Sequence, residues 1–375
     1  MKNRILIYSS QYLPLIGGME RQMQFIGKSL VAQGWDVNIL TPRRQRDSAK
    51  KEYVDGMLVF RCMTSFIPRT QSIVEAFGAI FFLLKNLFVR YTVIHCHCYN
   101  IAAFFCVLFA FIKRAEAVVT FHSYPQVPRT GTLQWCLFQI LKRKIKVVAV
   151  SSEVAEMMLQ QFPGFQNLKV IRNGVDIAQF YPAGPAEVSM ARKTLGLPGD
   201  KKIIMYVGRL SPEKGIDVLN KAAKYIIEET EAVIVLAGCG PEEGECRILA
   251  KRYPERYILL GMQDNPFLCY HAADIYILPS FREGTPVALL EAMASGNACI
   301  ATNTEGSASV IQNGSDGVLV SVGDSKEIAA AVSRLLNDPG LICELGNNAR
   351  RDVVSAWSGA AQISSTIDFY NLKIN

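Results

Sequence analysis

The chain has 375 residues, enough for two domains of ordinary size rather than one. Half of its residues are hydrophobic and 19% are charged, which excludes a disordered or low-complexity protein. Its net charge is +7, with basic residues dispersed along the chain. That balance fits phosphorylated ligands or an anionic membrane, leaves an ordinary basic surface equally open, and does not point to nucleic acid.

The ten cysteines form no C-x-x-C pair, and the opening MKNRILIYSS runs into a strand without an apolar signal core. A reduced, cytoplasmic setting is expected. No stretch reaches about eighteen uninterrupted apolar residues, so no spanning helix is expected. Residues 77–89, broken by Lys85 and Asn86, and 101–112 come closest.

In chain order, 4–8 reads as a buried strand. The loop after it ends in Gly17 and Gly18 and enters a helix through residue 30. Adjacent glycines let the backbone approach a ligand, and the helix start can accept an anion. This is not a G-x-G-x-x-G fingerprint, which argues against a dinucleotide. Strands follow at 35–41 and 57–62, with the charged segment 45–55 read as a loop. Residues 73–90 are patterned as a helix. Strand 92–96 brings His95, Cys96, His97 and Cys98; alternation sends histidines and cysteines to opposite faces, so no metal site is expected.

A buried helix is expected over 101–112. The strand 117–121 delivers His122 at its carboxyl tip, ahead of Ser123, Tyr124 and Pro125, where open α/β sheets bind ligands. Strand 146–150, the helix 153–161 capped by Ser151 and Ser152, and a strand and turn over 170–176 lead to a Pro/Gly linker at 181–185. Strands alternating with helices predict a doubly wound parallel sheet.

The second half repeats the plan. Strand 203–207 ends in GRLSPEKG, which puts Arg209 and Lys214 at a strand end and a helix start, suited to neutralising a diphosphate. Strand 233–236 runs into AGCGP, and strand 257–260 ends at Gly261 and Met262. His271, in CYHAADI, is expected to pack. Then comes YILPSFREGTPVALLEAMASGNACIA over 276–301. A strand at 275–279 is followed by a loop with Glu283 and Gly284. Thr285 reads as an N-cap and Pro286 as the first helical residue. The N–H groups of Val287 and Ala288, with the helix dipole, make a phosphate seat. Glu291 lies eight positions beyond Glu283, so one carboxylate can meet a sugar and the other a ribose. The helix ends near Gly296, before a strand at 298–301. A strand at 318–320 and helices at 326–337 and 357–372 complete the chain.

The two glutamates in their EG-x-P…LEAMA-x-G frame, together with GRLSPEKG, resemble the retaining GT-B glycosyltransferases of family 4, the group 1 glycosyl transferases. The resemblance covers nearly the whole chain and is most specific from 208 to 301. It implies two Rossmann-like domains with the active site in the cleft between them. Residues 1–180, completed by a helix at 357–375, would bind the acceptor; 186–356 would bind the nucleotide sugar. It implies that Gly17 and Gly18 line the donor phosphate and that His122 contacts the donor sugar. Arg209 and Lys214 would hold the diphosphate, with Gly284, Thr285, Val287 and Ala288. Met262 would flank the base, Glu283 would hold the sugar and Glu291 the ribose. Where relatives often have G-x-P-V-I, Asn297, Ala298 and Cys299 stand here.

The resemblance also implies transfer with retained anomeric configuration, the leaving phosphate taking the acceptor proton. The chain contains no D-x-D, so turnover without metal or cofactor is expected. The partners expected are a nucleotide-sugar donor, UDP-linked before GDP-linked on base rates, and a glycan or lipid-linked acceptor in cell-surface polysaccharide synthesis. Phe81, Phe82, Leu83, Leu84, Leu87 and Phe88, around Lys85 and Arg90, leave two readings open: a face resting peripherally on the inner membrane surface, or core helices. A nicotinamide oxidoreductase lacks its fingerprint here. A same-fold epimerase or phosphorylase remains as an alternative. So does a non-catalytic nucleotide-sugar binder, although the charged site residues are all present.

Overall fold

The computed structural model describes residues 3–13, 17–44, 48–64, 68–122, 131–163 and 167–370. Ser123, Tyr124 and Pro125, residues 45–47 of the expected loop and residues 371–375 of the expected last helix lie outside them. The chain divides into two compact units, one of Met1–Arg172 with Gln362–Asn375 and one of Asn173–Ala361.

The first unit is built on strands β1 Arg4–Tyr8, β2 Asp36–Pro42, β3 Lys51–Val54, β4 Met57–Cys62, β5 Val93–Cys96, β6 Glu116–Phe121, β7 Lys146–Ala149 and β8 Leu168–Val170, in the order β3-β4-β2-β1-β5-β6-β7-β8. Its helices are α1 Gly18–Ala32, α2 Pro68–Lys85, α3 Ile101–Lys113, α4 Leu133–Leu141 and α5 Ser152–Gln161. Both faces of a parallel sheet are covered, so its inner strands are apolar throughout. Period-two alternation then divides them. Leu6 and Tyr8 of β1 join the core under α2, α3, α4 and α5, while Ile5 and Ile7 join the core under α1.

The segment expected as a loop over 45–55 contains strand β3, antiparallel to β4. Asp55 and Gly56 both have positive φ, 51° and 78°, and form the tight turn between them. An Asp-Gly pair with that geometry matches the twist of a hairpin. The polar KEYV sequence suits an edge strand rather than a core strand.

The first unit ends at Arg172, not at residue 180. Val175 N donates to Trp357 O at 3.0 Å and Gly359 N donates to Val175 O at 2.8 Å, which ties the chain after 173 to the end of the second unit. The linker is short, because Pro185 already opens α6 Pro185–Leu195. Glu187 holds Gly184 N at 2.8 Å there.

The second unit has strands β9 Ile203–Val207, β10 Val233–Ala237, β11 Tyr257–Gly261, β12 Ile275–Leu278, β13 Ala298–Thr302 and β14 Val318–Val320, in the order β11-β10-β9-β12-β13-β14. All are parallel. Its helices are α7 Ile216–Glu229, α8 Glu243–Arg252, α9 Phe267–Ala272, α10 Val287–Ala294, α11 Glu305–Ala308, α12 Ser325–Leu336 and α13 Pro339–Ala356. Strand order reverses between β1 and β5 in one sheet and between β9 and β12 in the other. At such a switch point, neighbouring loops diverge and leave a crevice at the carboxyl ends.

A last helix, α14 Gly359–Phe369, begins in the second unit, and its residues from Gln362 belong to the first. Ile363, Ile367 and Tyr370 are buried with Ile5, Ile7 and Met23, and Tyr370 Oη lies 2.8 Å from His95 Nδ1. All ten cysteines are free thiols. Among the described residues no helix is long and apolar enough to cross a membrane.

Tyr370→Ala removes a fully buried ring, and should cost the first unit about 3–5 kcal/mol in urea unfolding. Tyr370→Phe, which removes only the bond to His95, should cost about 1 kcal/mol. An unchanged midpoint for the alanine variant would show that the returning segment carries no core.

Candidate functional site

In the second unit, the loop 208–215 leaves β9 under close restraint. Tyr206 Oη donates to Arg209 O at 2.7 Å, and Leu210 N donates to Cys239 O at 3.0 Å. A single 3₁₀ turn, Pro212–Lys214, ends in Gly215 at φ +66°. A Cβ at Gly215 would lie 2.0 Å from Pro279 O, so this loop can meet the chain leaving β12 only through a glycine. Next to that contact, Phe281 N donates to Glu213 O at 3.0 Å.

The loop contact brings Lys214 Nζ to 2.8 Å from Glu283 Oε1. Ser280 Oγ donates to the same oxygen at 2.6 Å. The Glu283 side chain is buried, while that of Lys214 keeps 30% of its surface. From the other side, a Cβ at Gly306 of α11 would lie 2.4 Å from both Glu283 O and Gly284 O. Backbone packed against backbone on two sides fixes this carboxylate.

Helix α10 starts one residue later than expected. Pro286, and not Thr285, is the capping residue, at ψ 94°. Extended ψ at Pro286 delays the first helical residue to Val287. Leu289 N and Leu290 N both donate to Pro286 O at 3.1 Å, and the N–H groups of Val287 and Ala288 precede these bonds at the positive end of the helix. Glu291, buried within α10, accepts from Tyr270 Oη of α9 at 2.7 Å. A carboxylate away from water needs such donors. Arg209 is exposed after β9, and Met262 follows β11 half-exposed.

Sequence reasoning missed Tyr270 and Ser280. Ser280 sits three residues before Glu283, a spacing from which it can reach back, and that was a usable signal. Tyr270 has none, because nothing in CYHAADI tells a core tyrosine from one aimed at Glu291. Its neighbour His271 packs, with Nε2 3.1 Å from Tyr181 O. Asn297, where the chain departs from the common pattern, donates to Tyr270 O at 2.9 Å and Ala273 O at 3.2 Å, so it anchors the end of α9.

Gly17, Gly18 and His122 belong to the first unit. His97 N donates to Tyr8 O at 2.8 Å, placing His97 at the β1–β5 switch point. Its Nδ1 lies 2.9 Å from His122 Nε2. Both nitrogens of His95 are engaged, by Tyr370 at 2.8 Å and by Thr120 Oγ1 at 2.7 Å. Burial lowers all three pKa values, His95 to about 3, His122 to about 4, and His97 well below the ordinary value. The rings are therefore neutral at pH 7, and one proton lies between His97 and His122. Gly17 caps α1, and the carboxylate of Glu20 sits 2.6 Å from where its Cβ would be. A negative charge thus already stands at the helix start expected to seat an anion.

Two family models match the chain, Glycosyltransferase Family 4 over residues 16–179 and Glycosyl transferases group 1 over residues 189–352. An uncharacterized glycosyltransferase of Methanocaldococcus jannaschii is 27% identical, across 99% of this chain and 98% of its own. The UDP-Gal:alpha-D-GlcNAc-diphosphoundecaprenol alpha-1,3-galactosyltransferase of Escherichia coli is 25% identical, across 98% and 97%. Among solved structures, sucrose-phosphate synthase from Thermosynechococcus elongatus matches with a TM-score of 0.80 at 22% identity, covering 99% and 98% of the two chains. Anabaena HepE in complex with UDP and glucose matches at 0.78 and 18% identity, covering 98% and 99%. At such identities the structural likeness speaks for the fold.

Gly215→Ala should destabilise the second unit by about 2 kcal/mol or more, from strained φ and the clash with Pro279, read as a fall in melting temperature. The histidines give a pH signature. A histidine with a lowered folded-state pKa favours the fold above its ordinary 6.5 and loses that contribution as pH falls toward the folded value. The unfolding free energy of the first unit should drop between pH 6.5 and about 4, and drop less in His97→Gln. A flat profile in urea titrations would contradict a neutral cluster.

Proposed function

The chain belongs to the group 1 glycosyl transferases and has the GT-B fold, and on that premise we propose that it is a retaining, metal-independent enzyme. It moves a sugar from a nucleoside-diphosphate donor, UDP-linked rather than GDP-linked, to a lipid-linked or glycan acceptor in cell-surface polysaccharide synthesis. The observation that carries this reading is the Lys214–Glu283 pair, a cation and a carboxylate fixed together at the β9–β12 switch point. The Escherichia coli relative supports the donor and acceptor classes, since its description names UDP-Gal and a diphosphoundecaprenol and it aligns along 98% of this chain.

The residues divide the work by charge. Glu291, oriented by Tyr270, accepts the ribose hydroxyls. Arg209, Lys214 and the N–H groups of Val287 and Ala288 take the diphosphate. As the bond from the anomeric carbon to the phosphate oxygen breaks, its electron pair goes to the phosphate. Fixed positive groups around that oxygen lower the barrier without reorganising. Glu283 receives Ser280 and Lys214 on Oε1, which leaves Oε2 for a sugar hydroxyl. His122, neutral, contacts the sugar without adding charge. The acceptor hydroxyl joins the same face of the anomeric carbon, and its proton passes to the leaving phosphate. Two protein cations supply the charge that a metal gives in other transferases. An acceptor carried on a lipid sets the reaction at the inner membrane surface.

Thermal shift against UDP- and GDP-sugars with EDTA present tests the donor assignment. One UDP-sugar should stabilise the protein, and Glu291→Ala and Lys214→Ala should abolish the shift. With that donor, Lys214→Ala should lower kcat about 10²–10³-fold. Tyr270→Phe should raise the donor KM about tenfold with little change in kcat. No shift with any donor, in a folded protein, would overturn the reading, a shift without transfer would favour a non-catalytic binder, and activity lost in EDTA would overturn its metal independence.

A further inference from the structure

We infer that the α2–α3–α4 face of the first unit is a docking surface for an anionic lipid bilayer. The three helices cover one side of the sheet, and their inner residues share a single core. Ala79, Phe82 and Leu83 of α2, Val107 of α3 and Phe138 of α4 all belong to it. That contact already buries one stripe of each helix, and an ordinary surface helix would be polar on the other side. These are not. Phe77, Phe81 and Leu84 of α2 are each at least 60% exposed, and Phe88, just beyond its end, is 95% exposed. Ile112 of α3 and Ile140 of α4 continue the exposed apolar surface at 69% and 70%.

Charge identifies the occupant. Residues 76–152 contain nine Lys or Arg and a single acidic residue, Glu116, a net +8 against +7 for the whole chain. The rest of the first unit adds 14 basic against 9 acidic residues, +5, and the second unit has 17 against 23, −6. Basic residues are dispersed by number, as the sequence suggested, but acidic ones are missing from this stretch, so the positive excess is concentrated. Glu116 is itself paired with Lys146 at 2.9 Å. Lys85 lies 4.3 Å from the centre of the Phe81 ring, and Lys142, Arg143 and Lys144 follow directly on α4. Apolar rings set among basic side chains match acyl chains lying beneath anionic headgroups. Among the described residues no helix can span the bilayer, so the contact lies in its surface. The surface suits an enzyme with a lipid-linked acceptor but stands independently of the donor assignment.

The test is co-sedimentation of the full chain with vesicles of phosphatidylcholine alone or with about 30% phosphatidylglycerol, at about 0.05 M and about 0.5 M salt. Three proteins are compared: the natural chain, Phe81→Asp with Phe88→Asp, and Lys85→Glu with Arg143→Glu and Lys144→Glu. The natural chain should pellet with anionic vesicles at low salt, at least about tenfold more tightly than with neutral ones, and weaken at high salt. Both variants should stay in solution while keeping the natural melting temperature and donor-induced thermal shift. A natural chain that ignores anionic vesicles, or variants that bind as well as it does, would overturn the inference. So would sedimentation without vesicles that reports a dimer broken by Phe81→Asp with Phe88→Asp, because the face would then join two copies of the chain. Loss of vesicle binding with an intact donor shift, or the converse, separates this surface from the donor site.

Discussion

The second unit depends on one close approach, the passage of Gly215 beneath the carbonyl of Pro279. Two loops that leave neighbouring strands at a switch point would normally diverge. Here they touch backbone to backbone, and residues 69 positions apart in sequence become one group, Lys214 on Glu283. Little stability comes from a pair of this kind, because removing both charges from water offsets most of their attraction. What it does provide is order. Glu283 is held by Ser280 and Lys214 on one oxygen and by packed backbone on either side, so its second oxygen points in a direction the loop cannot change.

The first unit reaches a similar topological solution with the opposite electrostatics. Its switch point presents imidazoles that burial keeps uncharged, and the helix start nearby is already met by the Glu20 carboxylate. Cationic and anionic groups collect instead at the carboxyl ends of β9 and β12. One unit thus gathers charged groups at its switch point, the other neutral donors and acceptors. The densest positive charge of the first unit lies elsewhere, within residues 76–152.

Much of this was legible in the sequence because it rests on local pattern. Continuous apolar runs located the inner strands within a residue or two, and the string from Glu283 to Gly296 carried both loop and helix. The failures have separate physical causes. Strand β3 was lost because an edge strand has no buried face to print a hydrophobic pattern, although Asp55-Gly56 carried a hairpin signal. The start of α10 slipped by one residue because composition at Thr285 and Pro286 fits a capped helix, whereas ψ at Pro286 is set by packing. Tyr270 and His97 act through partners on other elements, at sequence distances no local motif spans. Residues 77–88 resisted a single reading for a different reason. Apolar side chains cover both sides of that helix, and only burial tells the core stripe from the exposed one.

The return of residues 362–370 to the first unit sets the order in which this protein can be made. The sheet of that unit is complete by Val170, yet Ile363, Ile367 and Tyr370 fill its core, and Tyr370 engages His95. On the ribosome the first unit must wait while the second is synthesised, an interval of about 10–40 s at ordinary elongation rates. Through that time Ile5, Ile7 and His95 have no C-terminal partner. The core of the first unit therefore closes only after residues 362–370 have been made.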